Sequence, residues 1–148
     1  MHFREAKIED ITQLQIVRNS VKENQLSDPA LVKDADYEEF LLLRGKGWLC
    51  EVKRLIVGFA IVDLQENNIW ALFVMPSFEK KGIGKKLHSL MLNWYFEHTQ
   101  KTVWLGTALG TRAEFFYLKQ GWMKVGMHGT KEVKFEMTYH HWKALAKT

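Results

Sequence analysis

The sequence predicts an α+β fold, a central mixed and mostly antiparallel sheet covered by helices on both faces, and three observations carry that prediction. Three strand-like runs follow one another between Trp48 and Val74, joined by turns too short to hold a helix, which makes an antiparallel meander the simplest topology. The middle run, Leu55 to Leu64, is apolar at both alternating sets of positions, Leu55, Val57, Phe59 and Ile61 on one face and Ile56, Ala60 and Val62 on the other. Strands read this way when layers cover both sides of a sheet. Helical spacing on either side of the meander supplies the layers: Ile8, Ile11, Leu14, Val17 and Val21 before it, Leu87, Leu90, Met91 and Trp94 after it.

The elements follow in order. The residues before Ile8 form a short edge strand, and the acids Glu9 and Asp10 open the first amphipathic helix, where negative charge suits the helix N-terminus. A polar connection containing Pro29 leads to a second short helix carrying Tyr37, Phe40, Leu41 and Arg44, stopped by Gly45 and Gly47. The meander then runs Trp48 to Val52, Leu55 to Leu64 and Ile69 to Val74, turning at Lys53–Arg54 and Glu66–Asn68. After Pro76 comes the long helix, then a strand in TVWLG, a short helix in TRAEFFYLKQ ended by Gly121, and a late strand alternating Val133, Phe135, Met137 and Tyr139. No repeat, linker or low-complexity stretch interrupts the chain, so 148 residues read as one domain.

Composition narrows the function classes. A net charge of +4, from 21 basic and 17 acidic residues, is a mild excess with no basic arm, zinc-finger spacing or aromatic RNA-binding signature, which argues against a nucleic-acid partner. The apolar runs fall far short of the ~20 residues that cross a bilayer. A single cysteine, Cys50, allows no internal disulfide framework and no thiolate-rich zinc site. With no basic-then-apolar leader at the start, a reducing, cytoplasmic setting is expected.

The segment LFVMPSFEKKGIGKKL concentrates backbone freedom and positive charge where a strand hands over to a helix. Unpaired N–H groups at a helix N-terminus bind anions. Gly82 and Gly84 remove the Cβ atoms that would hold a phosphate off the backbone, and Lys80, Lys81 and Lys85 supply charge around it. A nucleoside-triphosphate loop is excluded because Glu79 stands where its first glycine belongs and Lys86 where its Ser or Thr belongs. A dinucleotide fingerprint is excluded because Leu87 replaces the third glycine and the preceding strands are a meander.

That segment, followed after one more strand by TRAEFFYLKQGW, resembles the GNAT superfamily of acyl-CoA-dependent N-acetyltransferases, whose pattern is V-x-P, then [RQ]-x-x-G-x-[GA], then A-x-x-F-Y-x-x-x-G-[FW]. IVGFAIV is similar to the family's third strand and AKIEDITQLQIV to its first helix, so the likeness covers nearly the whole chain. The resemblance implies acetyl-CoA as acyl-donor cosubstrate, its pyrophosphate on Lys80, Lys81, Gly82, Ile83, Gly84 and Lys85 and its pantetheine along the fourth strand near Phe73 and Val74. It implies transfer of the acetyl group to a primary amine, small-molecule or peptide, by direct attack on the thioester, with backbone N–H donors near Val74 stabilising the oxyanion. Tyr117 matches the tyrosine that protonates the departing thiolate. The same resemblance admits a non-catalytic acyl-CoA sensor as an alternative, and it leaves room for a homodimer.

The sequence departs from the pattern in three places. Glu79 replaces the family's Arg or Gln, Gly110 aligns with an Asn that many members carry, and Trp70 aligns with a Glu that some members use as base. No general base is assigned. Glu23, Asn24 and Asp28 fall where the family often shapes its acceptor pocket, although an acidic, amide-rich loop is ordinarily just solvated. His128, His140 and His141 have no metal-ligand partners at usable spacing, and no metal is expected. Cys50, within a strand, reads as an inert buried thiol, and the six tryptophans read as packing.

Overall fold

In the computed structural model, which describes residues 1–21 and 32–146, two units are distinguished, Met1–Tyr95 and Phe96–Thr148. The first unit begins with β1 (His2–Glu5), which pairs antiparallel with β2 (Gly45–Val52); β3 (Leu55–Asp63) and β4 (Asn68–Val74) continue the meander in the order β1-β2-β3-β4. Val52 pairs with Leu55 across a two-residue turn in which Lys53 and Arg54 both take the left-handed conformation, at φ 51° and 69°. Two successive left-handed residues match the twist of antiparallel strands in tight hairpins.

Both faces of β3 are buried, for the reason its double alternation implies. On one side α1 (Ile11–Ser20) and α2 (Asp34–Glu39) contribute Ile11, Leu14, Val17 and Tyr37 to a core with Leu49, Phe59, Ile61 and Ala71. On the other side lies α3 (Ile83–His98): a Cβ added to Gly58 would sit 3.2 Å from Ile83 Cγ2 and 3.3 Å from Leu87 Cδ1, and Trp48 meets Trp94 edge-on. The buried stripe of α3 is Ile83, Leu87, Met91, Leu92 and Tyr95, turned slightly from the expected one, with Leu90 and Trp94 only half-buried.

The stretch read as the end of the second helix differs from expectation. After α2 the chain makes a wide turn over Phe40–Arg44 and enters β2 at Gly45, three residues before the expected strand start. Gly45 and Gly47 are therefore strand residues. A Cβ on Gly45 would lie 1.7 Å from Val62 O, and one on Gly47 would lie 2.6 Å from Leu41 Cδ2. At Gly45 the neighbouring backbone comes too close for any side chain, while at Gly47 a Cβ would have to displace the tip of Leu41.

In the second unit β5 (Val103–Ala108) pairs antiparallel with β7 (Glu132–Met137), and β7 with β6 (Met123–His128). Between β5 and β6 lies α4 (Arg112–Lys119), whose first turn is capped by Thr111 Oγ1 accepting from Glu114 N–H. Strand β6 has no counterpart in the sequence reading. The late strand is also shorter than read: it stops at Met137, and Tyr139 opens α5 (Tyr139–Ala146) instead of extending it. Thr138 makes the switch, its hydroxyl accepting from His141 N–H at 3.1 Å. No helix among the described residues is long and apolar enough to cross a membrane.

Candidate active site

Within the first unit, the end of β4 and the start of α3 form a strand–turn–helix that holds every cofactor-binding residue expected from the sequence. Phe73 and Val74 pair with Phe59 and Gly58 of β3. Met75 donates its N–H to Val57 O at 2.8 Å, so the adjacent peptide group, carrying Val74 N–H, faces the opposite edge of β4. Pro76 then closes a single helical turn, with Phe78 N–H bonding Met75 O at 2.8 Å.

From there the backbone twice turns left-handed, at Lys80 (φ 63°) and Gly82 (φ 83°). Lys86 N–H bonds Gly82 O at 3.1 Å and starts the α3 ladder, which leaves the N–H groups of Ile83, Gly84 and Lys85 in the first turn with no intrahelical acceptor. A side chain at Gly82 would be strained, and nothing lies within 4 Å of where its Cβ would stand, so open space faces the backbone there. Lys80, Lys81 and Lys85 are exposed around it, with Lys81 Nζ 5.7 Å from the Phe78 ring centre. Ile83 is 1% exposed and buries its side chain against the sheet, so its N–H alone is available to a ligand. This donor set fits a diphosphate: helix N-terminal amides, left-handed backbone, space at a glycine, and lysines as point charges.

Tyr117 belongs to the second unit. Its ring meets Phe116 at 5.3 Å and Trp122 at 5.6 Å, both edge-on, and lies 6.2 Å from Phe135. Burial pushes its phenol well above the ordinary value of 10, so the hydroxyl keeps its proton. Beside it on α4, Glu114 accepts from Gly110 N–H at 2.8 Å and pairs with Lys124 at 2.9 Å. Lys124 and then that backbone bond hold the Glu114 carboxyl below the ordinary carboxylate value. Burial pushes the Cys50 thiol up, as befits an unreactive cysteine. One ring nitrogen of His141 meets Gly121 O at 2.8 Å. Glu23, Asn24 and Asp28 lie outside the described residues.

Sequence reasoning missed a polar group under α1. Arg18 places its guanidinium 4.4 Å over the Phe73 ring, and Tyr37 is fully buried with its ring 5.0 Å from Trp70. One signal was available: Arg18 stands four residues after Leu14 and seven after Ile11, a basic side chain on the buried stripe.

Several solved structures share this fold. The PaiA N-acetyltransferase from Thermoplasma acidophilum, in complex with coenzyme A, superimposes with a TM-score of 0.79 at 18% identity, covering 93% of this chain and 98% of that one. An N-acetyltransferase from Staphylococcus aureus Mu50 gives 0.78 at 17% identity with the same coverage, 93% and 98%. The ribosomal-protein-alanine N-acetyltransferase from Brucella melitensis gives 0.72 at 18%, covering 93% and 99%. No curated protein matches the sequence. The model of the acetyltransferase (GNAT) family matches residues 9–122, taking in the β4–α3 loop and all of α4. The chain, α+β in class, belongs to the acetyltransferase (GNAT) family.

Proposed function

We propose that the protein transfers the acetyl group of acetyl-CoA to a primary amine by direct attack of the amine on the thioester. The observation that carries this reading is the β4–α3 junction, where left-handed Lys80 and Gly82 lead into the amides of a 16-residue helix beside exposed lysines. Acetyl-CoA, when bound, supplies the thioester carbonyl. The helix N-terminus and Lys80, Lys81 and Lys85 hold its pyrophosphate, while Phe73 and Val74 lie along its pantetheine. Val74 N–H, directed away from β3, donates to the carbonyl oxygen as negative charge grows there. Tyr117, kept protonated by burial, donates to the departing thiolate and regains a proton from the one the attacking amine sheds, so that the amine's proton ends on the CoA sulfur. Coenzyme A in the Thermoplasma relative supports the choice of cosubstrate.

The test is a melting curve. Acetyl-CoA at 100 times its Kd raises stability by about 2.7 kcal/mol through mass action, and Gly84→Asp, which adds bulk and a like charge to the loop, abolishes the rise. An unchanged melting temperature at millimolar acetyl-CoA would remove the cosubstrate from this reading.

A further inference from the structure

Two arginines of the first unit stack on aromatic rings, and one of them has no acid beside it among the described residues. Arg44 lies 4.6 Å over Phe40 and is matched by Asp63 and by Glu39. Arg18 lies 4.4 Å over Phe73, its Nε is buried without a hydrogen-bond partner, and no carboxylate among the described residues pairs with it. Desolvation pulls its pKa down, and among the described residues Tyr37 alone acts in the other direction. The Tyr37 side chain is fully buried with its hydroxyl unpartnered, and the charge of Arg18 reaches it. On α1, Gln15 and Asn19 flank Arg18 with a buried amide oxygen each, also unpartnered. Buried polar groups are nearly always satisfied, so a cation and a hydroxyl with no partner among the described residues, against a ring of the proposed acyl-transfer strand, leave a place for an anion.

We propose that the amine acceptor carries a carboxylate, and that Arg18 with the Tyr37 hydroxyl binds it beside Phe73; the inference rests on the acyl-transfer reading above. A single planar guanidinium presents paired N–H donors that match a planar, singly charged carboxylate. A phosphate dianion would call for further cations, and Arg44 is already neutralised by its own acids. Phe73 directly precedes Val74, where the thioester oxygen is proposed to sit. The amine and the carboxylate of the acceptor are therefore separated by only a few bonds.

The experiment compares glycine, β-alanine and 4-aminobutyrate with their methyl esters and with aminoalkyl phosphonates of the same chain lengths. Thiol release from acetyl-CoA is followed for the wild type, Arg18→Gln and Tyr37→Phe, and binding of the same compounds is followed by ligand-observed NMR with and without CoA. At least one free acid is expected to exceed its ester and its phosphonate. Arg18→Gln raises KM for that acid by about 10- to 100-fold, the worth of a hydrogen bond to a charged group, and changes KM for the ester far less. Tyr37→Phe has the same selectivity with a smaller effect. If no compound is acetylated, NMR decides the carboxylate site by itself: binding of the acids, lost in Arg18→Gln, upholds it, and no binding overturns it. Equal use of acid and ester, preference for the phosphonate, or acid preference surviving in Arg18→Gln would each overturn it. Should Arg18→Gln not fold, the wild-type comparison and Tyr37→Phe decide between the same outcomes.

Discussion

A phenol sealed among Phe116, Trp122 and Phe135 has two uses, as a packing anchor and as a proton donor, and Tyr117→Phe separates them because it keeps the ring. As a donor to the thiolate, Tyr117 gives up only an interaction made as charge develops on sulfur, so kcat falls by about 100-fold, the low end for general acid catalysis, while acetyl-CoA affinity holds. Equal kcat in both proteins would leave Tyr117 as packing. Asp10 does purely structural work: its carboxylate accepts from Lys7 N–H at 2.8 Å and from both terminal nitrogens of Arg4 at 2.9 Å, fastening β1 to the entrance of α1. Asp10→Asn keeps the shape and removes the charge, and chemical denaturation is expected to show a loss of about 1.5–3 kcal/mol.

At the scale of elements, the β2–β3 hairpin carries a local cost that sequence change can relieve. Lys53 and Arg54 are both left-handed, a conformation costing non-glycine residues roughly 1–2 kcal/mol each. Replacing the pair by Asn-Gly, the favoured chemistry for such a turn, is expected to raise unfolding stability by about 1 kcal/mol or more, read from denaturant midpoints at constant slope. Strands β3 and β4 were legible to within a residue at each end, β3 because burial on both faces leaves a nearly continuous apolar run, whereas β2 begins three residues earlier than the sequence suggests. Strand β6 was not, because Met123, Val125 and Met127 are all about half-exposed and a bulge at Lys124/Gly126 breaks the alternation. Tyr139 prolonged the period of β7 by accident of sequence, and the Thr138 cap that begins α5 outweighs it. Gly45 and Gly47 read as stops because a glycine's need for space, unlike its need for positive φ, depends on a neighbour distant in the chain. The glycine loop was legible for the opposite reason, since its chemistry is local backbone. Arg18 and Tyr37 matter through partners they lack, which no spacing displays.

For the whole molecule, His88 links stability to pH. It is 1% exposed on α3, and burial lowers its pKa from 6.5 to about 4. The unfolded chain takes up a proton at this residue below pH 6.5 while the folded chain resists until about pH 4. Stability from this group is therefore complete above pH 6.5 and declines between there and pH 4, by up to about 1.4 kcal/mol per pH unit. Below that window Asp10, held under its ordinary 3.8 by Arg4, adds a further loss as it protonates. Unfolding free energies measured from pH 7 to 4 are expected to slope downward on acidification, with a shallower slope in His88→Gln; an identical slope would show that His88 does not carry the linkage. Acyl transfer itself is tested most directly by incubating the purified protein with acetyl-CoA and a panel of primary amines, and following both free CoA thiol and the acetylated amine. Amine-dependent thiol release matched mole for mole by acetylated amine, and suppressed in Gly84→Asp, is the result expected. Acetyl-CoA binding with no amine acetylated across the panel would contradict it, and would make the protein an acyl-CoA sensor built on an acetyltransferase fold.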